Sequence, residues 1–176
     1  MTKGGVDKID RKDEIFLPIG HYALFNCKNN PLNESLKISI YGLGSCIALI
    51  LFDCNKKVSG MSHILLPKAH KNNKTEFPHK YADLSVKLLM KGLLELGANK
   101  ENIQAIIVGG SKIFDLDENI IGIDNIKAIK SELGELRIKL IGEDTGGSKG
   151  RAVIFDTKDF SVYVKTTKEN KFKKLN

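Results

Sequence analysis

The stretch Ile47-Ala48-Leu49-Ile50-Leu51-Phe52-Asp53-Cys54-Asn55-Lys56-Lys57-Val58-Ser59-Gly60-Met61-Ser62-His63-Ile64-Leu65-Leu66-Pro67 reads as two strands folded back on each other. Ile47 to Phe52 is apolar on both faces and bounded by turn signals, which predicts a central strand with neither face in water. Asp53 to Lys56 supplies the turn. Lys57 to Leu66 returns as the partner strand, and Pro67 ends it because proline has no N–H for the ladder.

Just upstream, Tyr41-Gly42-Leu43-Gly44-Ser45-Cys46 places a cysteine between a glycine turn and the buried strand. If Cys54-Asn55 is a two-residue hairpin loop, Cys46 lies opposite His63. Directly opposed side chains share a face, with Cβ atoms roughly 4.5–5.5 Å apart. A thiol beside an imidazole is the equipment for attacking an amide: the imidazole lowers the thiol pKa and then protonates the departing amine. N–H groups around Gly44, Ser45 and Cys46 are candidates for holding the oxyanion. A one-residue slip would separate the pair, and a buried cysteine beside a satisfied core histidine is the plainer alternative.

Farther out, Lys37 to Tyr41 alternates as a half-buried strand, and Ile15 to Asn26 reads as an edge strand broken at Pro18-Ile19-Gly20. Lys28 to Ser35 is a loop, and 68–78 is a long loop rich in lysine, asparagine and histidine. His79 to Leu96 is the clearest helix, with Pro78 near its start, Asp83 in its early turns and Gly97 as its stop. Ile103 to Val108 is another buried strand, closed by Gly109-Gly110. A shorter helix is expected over 125–133, followed by strands at Leu136–Ile141, Ala152–Phe155 and Phe160–Val164.

About eight strands with two principal helices predict an α+β fold, mostly antiparallel, in one domain. The expected organisation is a flexible tail over 1–14, a globular domain over 15–166 and a loosely held basic tail over 167–176.

Composition narrows the function. At 41% hydrophobic and 28% charged residues, the 176-residue chain is that of an ordinary globular domain. No apolar run nears the roughly 20 residues that cross a bilayer, and the polar start is unlike a signal peptide, so a cytoplasmic protein without membrane insertion is expected. The three cysteines, Cys27, Cys46 and Cys54, are dispersed and odd in number, which suits free thiols in a reducing compartment. Cys46, Cys54 and His63 lack a fourth partner at zinc spacing, so no metal or other cofactor is expected. The net charge of +7 is carried almost wholly by lysine, with Arg11, Arg137 and Arg151 the only arginines, and aromatics are 7%. Base readout and single-strand stacking both need more of those groups, so nucleic acid is not the expected partner. The segments Gly109-Gly110-Ser111-Lys112 and Asp144 to Arg151 resemble phosphate loops without matching one. They are better read as tight turns bordering a site, with Gly109, Gly110 and Ser111 as candidate substrate contacts.

Taken together, Gly42 to Cys46, Gly60 to Pro67, Lys80-Tyr81-Ala82-Asp83, Gly109 to Phe114, Ile121-Gly122 with Asn125, and Glu143-Asp144-Thr145-Gly146-Gly147 through Arg151 resemble, in order, the CheD family of chemoreceptor glutamine deamidases. The likeness spans about residues 16–165. It implies a layered α/β/β fold shared with deamidating toxins. It implies Cys46 as nucleophile and His63 as general base and acid in converting receptor glutamines to glutamates with release of ammonia. It also implies two partners, the cytoplasmic helices of chemoreceptors and the CheY-phosphate phosphatase CheC. An alternative is a weakly catalytic or non-catalytic regulator of CheC. The chain departs from the family where a threonine, thought to steady the histidine, commonly stands six residues before the cysteine: here Ile40 occupies that place. Asp124 replaces an arginine before Asn125, and Ser111 replaces an alanine.

Overall fold

The computed structural model describes residues 14–29, 36–69, 76–113 and 121–176. Strands β1 (Glu14–Phe16), β2 (Tyr22–Asn26), β3 (Lys37–Leu43), β4 (Ile47–Asp53) and β5 (Val58–Ile64) precede the first helix, α1 (Ala82–Glu95). β6 (Gln104–Gly109) separates it from α2 (Ile121–Glu135), and β7 (Lys139–Thr145), β8 (Arg151–Asp156), β9 (Val162–Thr166) and β10 (Lys173–Lys174) follow. One sheet runs β2-β5-β4-β6-β7 and the other β1-β3-β8-β9-β10. Pairing is antiparallel except for β1 with β3 and β6 with β7.

Every residue of β4 is buried, because its two faces serve two cores. Ile47, Leu49 and Leu51 meet Val86, Leu89 and Leu93 of α1 and Ile129 and Leu133 of α2. Ala48, Ile50 and Phe52 point the other way, against Ile38, Ile40, Val153, Phe155 and Phe160 of the second sheet. The continuous apolar run is therefore the middle layer of an α/β/β stack, as its lack of a polar face requires. α1 lies close to the sheet at Gly60, where an added Cβ would come within 2.8 Å of Leu24 and 2.9 Å of Leu89.

The β4–β5 hairpin departs from the expected register. The Asp53 side chain, fully buried, accepts from the N–H groups of Asn55 and Lys56 with one oxygen and of Asn99 with the other, at 2.9, 3.1 and 2.8 Å. This acidic cap organises a four-residue turn, so Asp53 pairs with Val58 and Ala48, not Cys46, faces His63. The shift is by two residues. Because strand faces alternate singly, His63 stays on the face that Cys46 shares.

Other boundaries also moved. The Ile15–Asn26 segment is two strands in different sheets, with Gly20 at φ 77 in the crossing between layers. Pro78–Lys80 forms a 3-10 turn ahead of α1, and α2 begins at Ile121. The C-terminal residues, expected to be loose, are held: β10 pairs with β9, Leu175 donates to the Val162 carbonyl at 2.8 Å, and Asn176 Oδ1 accepts from Val162 N–H at 2.8 Å. The N-terminal tail expected over 1–14 lies outside the described residues except for Glu14, which opens β1.

On the helix side of β5, His79 is buried beneath Tyr22, their ring centroids 3.9 Å apart. Its Nδ1 lies 3.0 Å from Ser85 Oγ, which donates to Ser62 Oγ at 2.9 Å. With the serine's only proton spent on Ser62, Nδ1–H is the donor to Ser85.

Burial pulls the His79 pKa from 6.5 down to about 4. Between those values the unfolded chain binds the proton and the folded one does not, so stability should fall as pH drops through that window and level off above it. Urea unfolding as a function of pH checks this, and His79→Asn should flatten the slope. For Asp53→Ala we expect a loss of about 2 kcal/mol, on the scale of hydrogen bonds to a charged group. Asp53→Asn should lose less. Urea midpoints would read both.

Candidate active site

β3 ends at Leu43 and β4 begins at Ile47, so Gly44, Ser45 and Cys46 bridge the two sheets. The three carbonyls of this bridge are all tied down. Gly44 O accepts from Ser111 N–H at 2.8 Å and Cys46 O from Gly110 N–H at 2.9 Å. Ser45 O accepts from Asn125 Nδ2 at 2.9 Å. The N–H groups of Ser45 and Cys46, by contrast, donate to no other residue among the described ones. Gly44, Ser45 and Cys46 thus present unspent donors around a thiol, the raw material of an oxyanion site.

The platform beneath them depends on glycine for steric reasons. Gly109 has φ 120, and an added Cβ would sit 2.2 Å from Cys46 O. Gly110, at φ 70, has Ile47 and Ile126 within 3 Å of its own would-be Cβ. Ser111 is buried; its Oγ donates to Lys149 O at 2.7 Å and accepts from the Arg151 guanidinium. Arg151 also reaches Asp144 through Nε at 3.0 Å and Nη2 at 2.8 Å, and Gly146 O through Nη1 at 2.8 Å. The buried Arg151 guanidinium, paired with the partly exposed Asp144 and bonded on several other sides, acts as a rivet. It joins the 144–151 segment to the 109–111 segment. Gly109, Gly110 and Ser111 therefore lie directly under the cysteine bridge and carry it.

His63 sits on the inter-sheet face of β5, 7% exposed. Its Nδ1 lies 3.0 Å from the carbonyl oxygen of Leu17, which is itself held by a Leu17 N–H bond to Ser39 O at 3.0 Å. A carbonyl only accepts, so Nδ1 carries the proton and Nε2 bears the basic lone pair. Backbone bonds fix the strand as well: Gly20 N–H donates to His63 O at 2.8 Å, and His63 N–H to His21 O at 3.0 Å. Ile40, at the position where a threonine was expected to steady the histidine, is buried in the inter-sheet core. The Leu17 carbonyl orients the imidazole instead. Sequence reasoning missed this group because a backbone acceptor has no side-chain signature.

Cys46 and His63 share the inter-sheet face as diagonal neighbours, a relation in which Cα atoms stand roughly 7–8 Å apart. No hydrogen bond joins them among the described residues. Burial pushes the Cys46 thiol above its ordinary 9.0, with its own N–H opposing, and burial lowers His63, with the Leu17 carbonyl opposing. Both shifts favour a neutral thiol beside a neutral imidazole over the expected thiolate, because burial without a mutual hydrogen bond penalises separated charge.

The remaining candidates lie elsewhere. Cys27 donates to Thr157 O at 2.9 Å, and Cys54 is exposed in the β4–β5 turn. Among the described residues no group of three or more His, Cys, Asp or Glu side chains is arranged to hold a metal, and no helix is long and apolar enough to cross a membrane.

Residues 65–166 match the family described as CheD chemotactic sensory transduction. A protein of Clostridium botulinum strain Hall, named probable chemoreceptor glutamine deamidase CheD, is 43% identical over 134 residues, covering 74% of this chain and 83% of its own. A protein of the same name from Clostridium novyi strain NT is 40% identical over the same extent. The chain belongs to the CheD family. In this CheD protein the family match begins two residues after His63, so the histidine and the cysteine bridge rest on motif and geometry.

The platform makes a sharp demand on Gly109. Gly109→Ala should lower stability by about 1–3 kcal/mol, through an unfavourable φ and the displaced Cys46 carbonyl. It should also change the alkylation rate of Cys46 relative to Cys54, read by peptide mapping.

Proposed function

We propose that this protein is a cysteine-dependent deamidase that hydrolyses glutamine side-chain amides on chemoreceptors to glutamate and ammonia. The observation that carries the reading is the Cys46 bridge: a thiol whose own N–H and that of Ser45 donate to no other described residue, on one face with an imidazole whose Nε2 is left basic.

The reaction follows from these atoms. As Sγ attacks the carboxamide carbon, its proton passes to His63 Nε2, so charge appears only when substrate is present. The former amide oxygen becomes an oxyanion and accepts from the Cys46 N–H, with Ser45 N–H beside it. The imidazolium returns its proton to the nitrogen, the C–N bond breaks and ammonia leaves. A thioester remains. Water, deprotonated by Nε2, adds to it; Sγ departs with the proton and the carboxylate is released. Leu17 O holds the imidazole throughout and stabilises its charged form.

Exposed apolar side chains border the site on two sides. Phe16, stacked on Tyr41 at 5.0 Å, and Ile19 flank the Leu17 carbonyl. Ile113, whose Cδ1 approaches Gly44, is exposed beside the bridge. Such a surface suits the apolar stripe of a receptor helix. CheC is the second partner in this reading, on the strength of the family resemblance.

Cys46→Ala and His63→Gln should each abolish deamidation of a purified cognate receptor, followed as the mass gained when amide nitrogen is replaced by oxygen. Both should melt near the wild type. Retained deamidation in Cys46→Ala would sink the proposal, and loss of chemistry with CheC capture intact would fit it. Because the resting pair is neutral, iodoacetamide should label Cys46 of the free protein only at alkaline pH, no earlier than Cys27 and Cys54. Rapid labelling in mildly acidic buffer would mean a preformed thiolate.

A further inference from the structure

Asn125 lies in the first turns of α2, fully buried, on none of the strands that carry the thiol or the imidazole. Its Nδ2 donates two hydrogen bonds of 2.9 Å, one to Ser45 O and one to Leu65 O. The first acceptor is the residue before Cys46; the second lies two residues past His63. Both are carbonyls, so the amide can face them only with its nitrogen. Among the described residues Oδ1 is left buried without a partner. A buried acceptor without a donor costs roughly 1–3 kcal/mol, a cost carried at Oδ1 while two backbone carbonyls gain their donor. An arrangement that sacrifices stability at one atom to fix two others belongs to a site that needs position.

The consequence follows from the peptide plane. In a trans peptide the C=O and the following N–H point in opposite directions. Anchoring Ser45 O to α2 therefore turns the Cys46 N–H away from the helix. We propose that Asn125 is the positioning residue for the oxyanion donor: by holding the Ser45 carbonyl it aims the Cys46 N–H at the oxygen of the tetrahedral intermediate. Its second bond ties the same helix to the end of the strand bearing His63, so one amide nitrogen sets thiol, donor and imidazole in a common frame. The helix is seated for the task, since Gly122 lies so close to Gly110 that an added Cβ would meet its carbonyl oxygen at 2.7 Å.

This inference rests on Cys46 as nucleophile, and the experiment separates the two. Asn125→Ala, a good helix former, and the isosteric Asn125→Asp, which presents no amide donors, are compared with the wild type for kcat and KM on receptor. The expectation is a kcat lower by roughly 10²-fold, as for a misplacement of about 1 Å, with KM unchanged. Asn125→Asp with full kcat, or a loss confined to KM, would overturn it. A wild-type measurement makes the test independent of how the variants fold. A peptide carrying an aldehyde in place of the glutamine carboxamide adds the Cys46 thiol to form a thiohemiacetal, and the ¹⁵N–¹H signal of Cys46 is followed. That amide should move downfield and exchange more slowly; an unmoved amide refutes the assignment. If Cys46→Ala abolishes deamidation while both Asn125 variants keep full kcat, the nucleophile stands and only the positioning role falls.

Discussion

Three consecutive peptide carbonyls, those of Gly44, Ser45 and Cys46, are each captured by a donor from another part of the chain, and the site depends on that capture. A bridge between two sheets has no ladder of its own, so its backbone groups must find partners or water. Here the carbonyls find Ser111, Asn125 and Gly110, and the amides are left facing outward. Orientation of the N–H groups is thus a by-product of satisfying the C=O groups. What looks like a loop decorated with glycines is a peptide ribbon clamped along one edge.

The clamp explains several distant features together. Gly109 must lack a side chain because the Cys46 carbonyl occupies that space. Arg151 and Asp144 stand far from the thiol in sequence, yet they hold Ser111, which holds Gly44. The two-sided burial of β4 supplies the rigid base from which the bridge departs. Coupling of this kind needs only contiguous contacts, and each link is a bond or a close approach.

Much of this was legible in the amino-acid order. The apolar run of β4 fixed the middle layer, and the periodicity of 79–96 marked α1, because burial on two faces or one stripe leaves a direct imprint on residue choice. The thiol and imidazole fell on a common face although the assumed register was off by two, an even slip that alternation forgives. The turn itself was misjudged since Asp53 organises it through backbone amides that any sequence possesses. The same blindness hid the Leu17 carbonyl, and it saw one edge strand after a turn at Ile15–Asn26 where the chain forms two strands and changes sheet. Asn125 was visible as part of a motif, but its reach to Ser45 and Leu65 is a tertiary fact. Side-chain patterns report burial well; they say little about which main-chain oxygen will be caught by what.

The raised Cys46 pKa has an effect outside the reaction. Peroxide oxidises thiolate far faster than thiol, and the first product, sulfenic acid, can no longer act as a nucleophile. Under the proposed mechanism, a sulfur that stays protonated until an amide arrives is shielded from oxidative inactivation during idle periods. The half-buried sulfur would trade intrinsic reactivity for endurance.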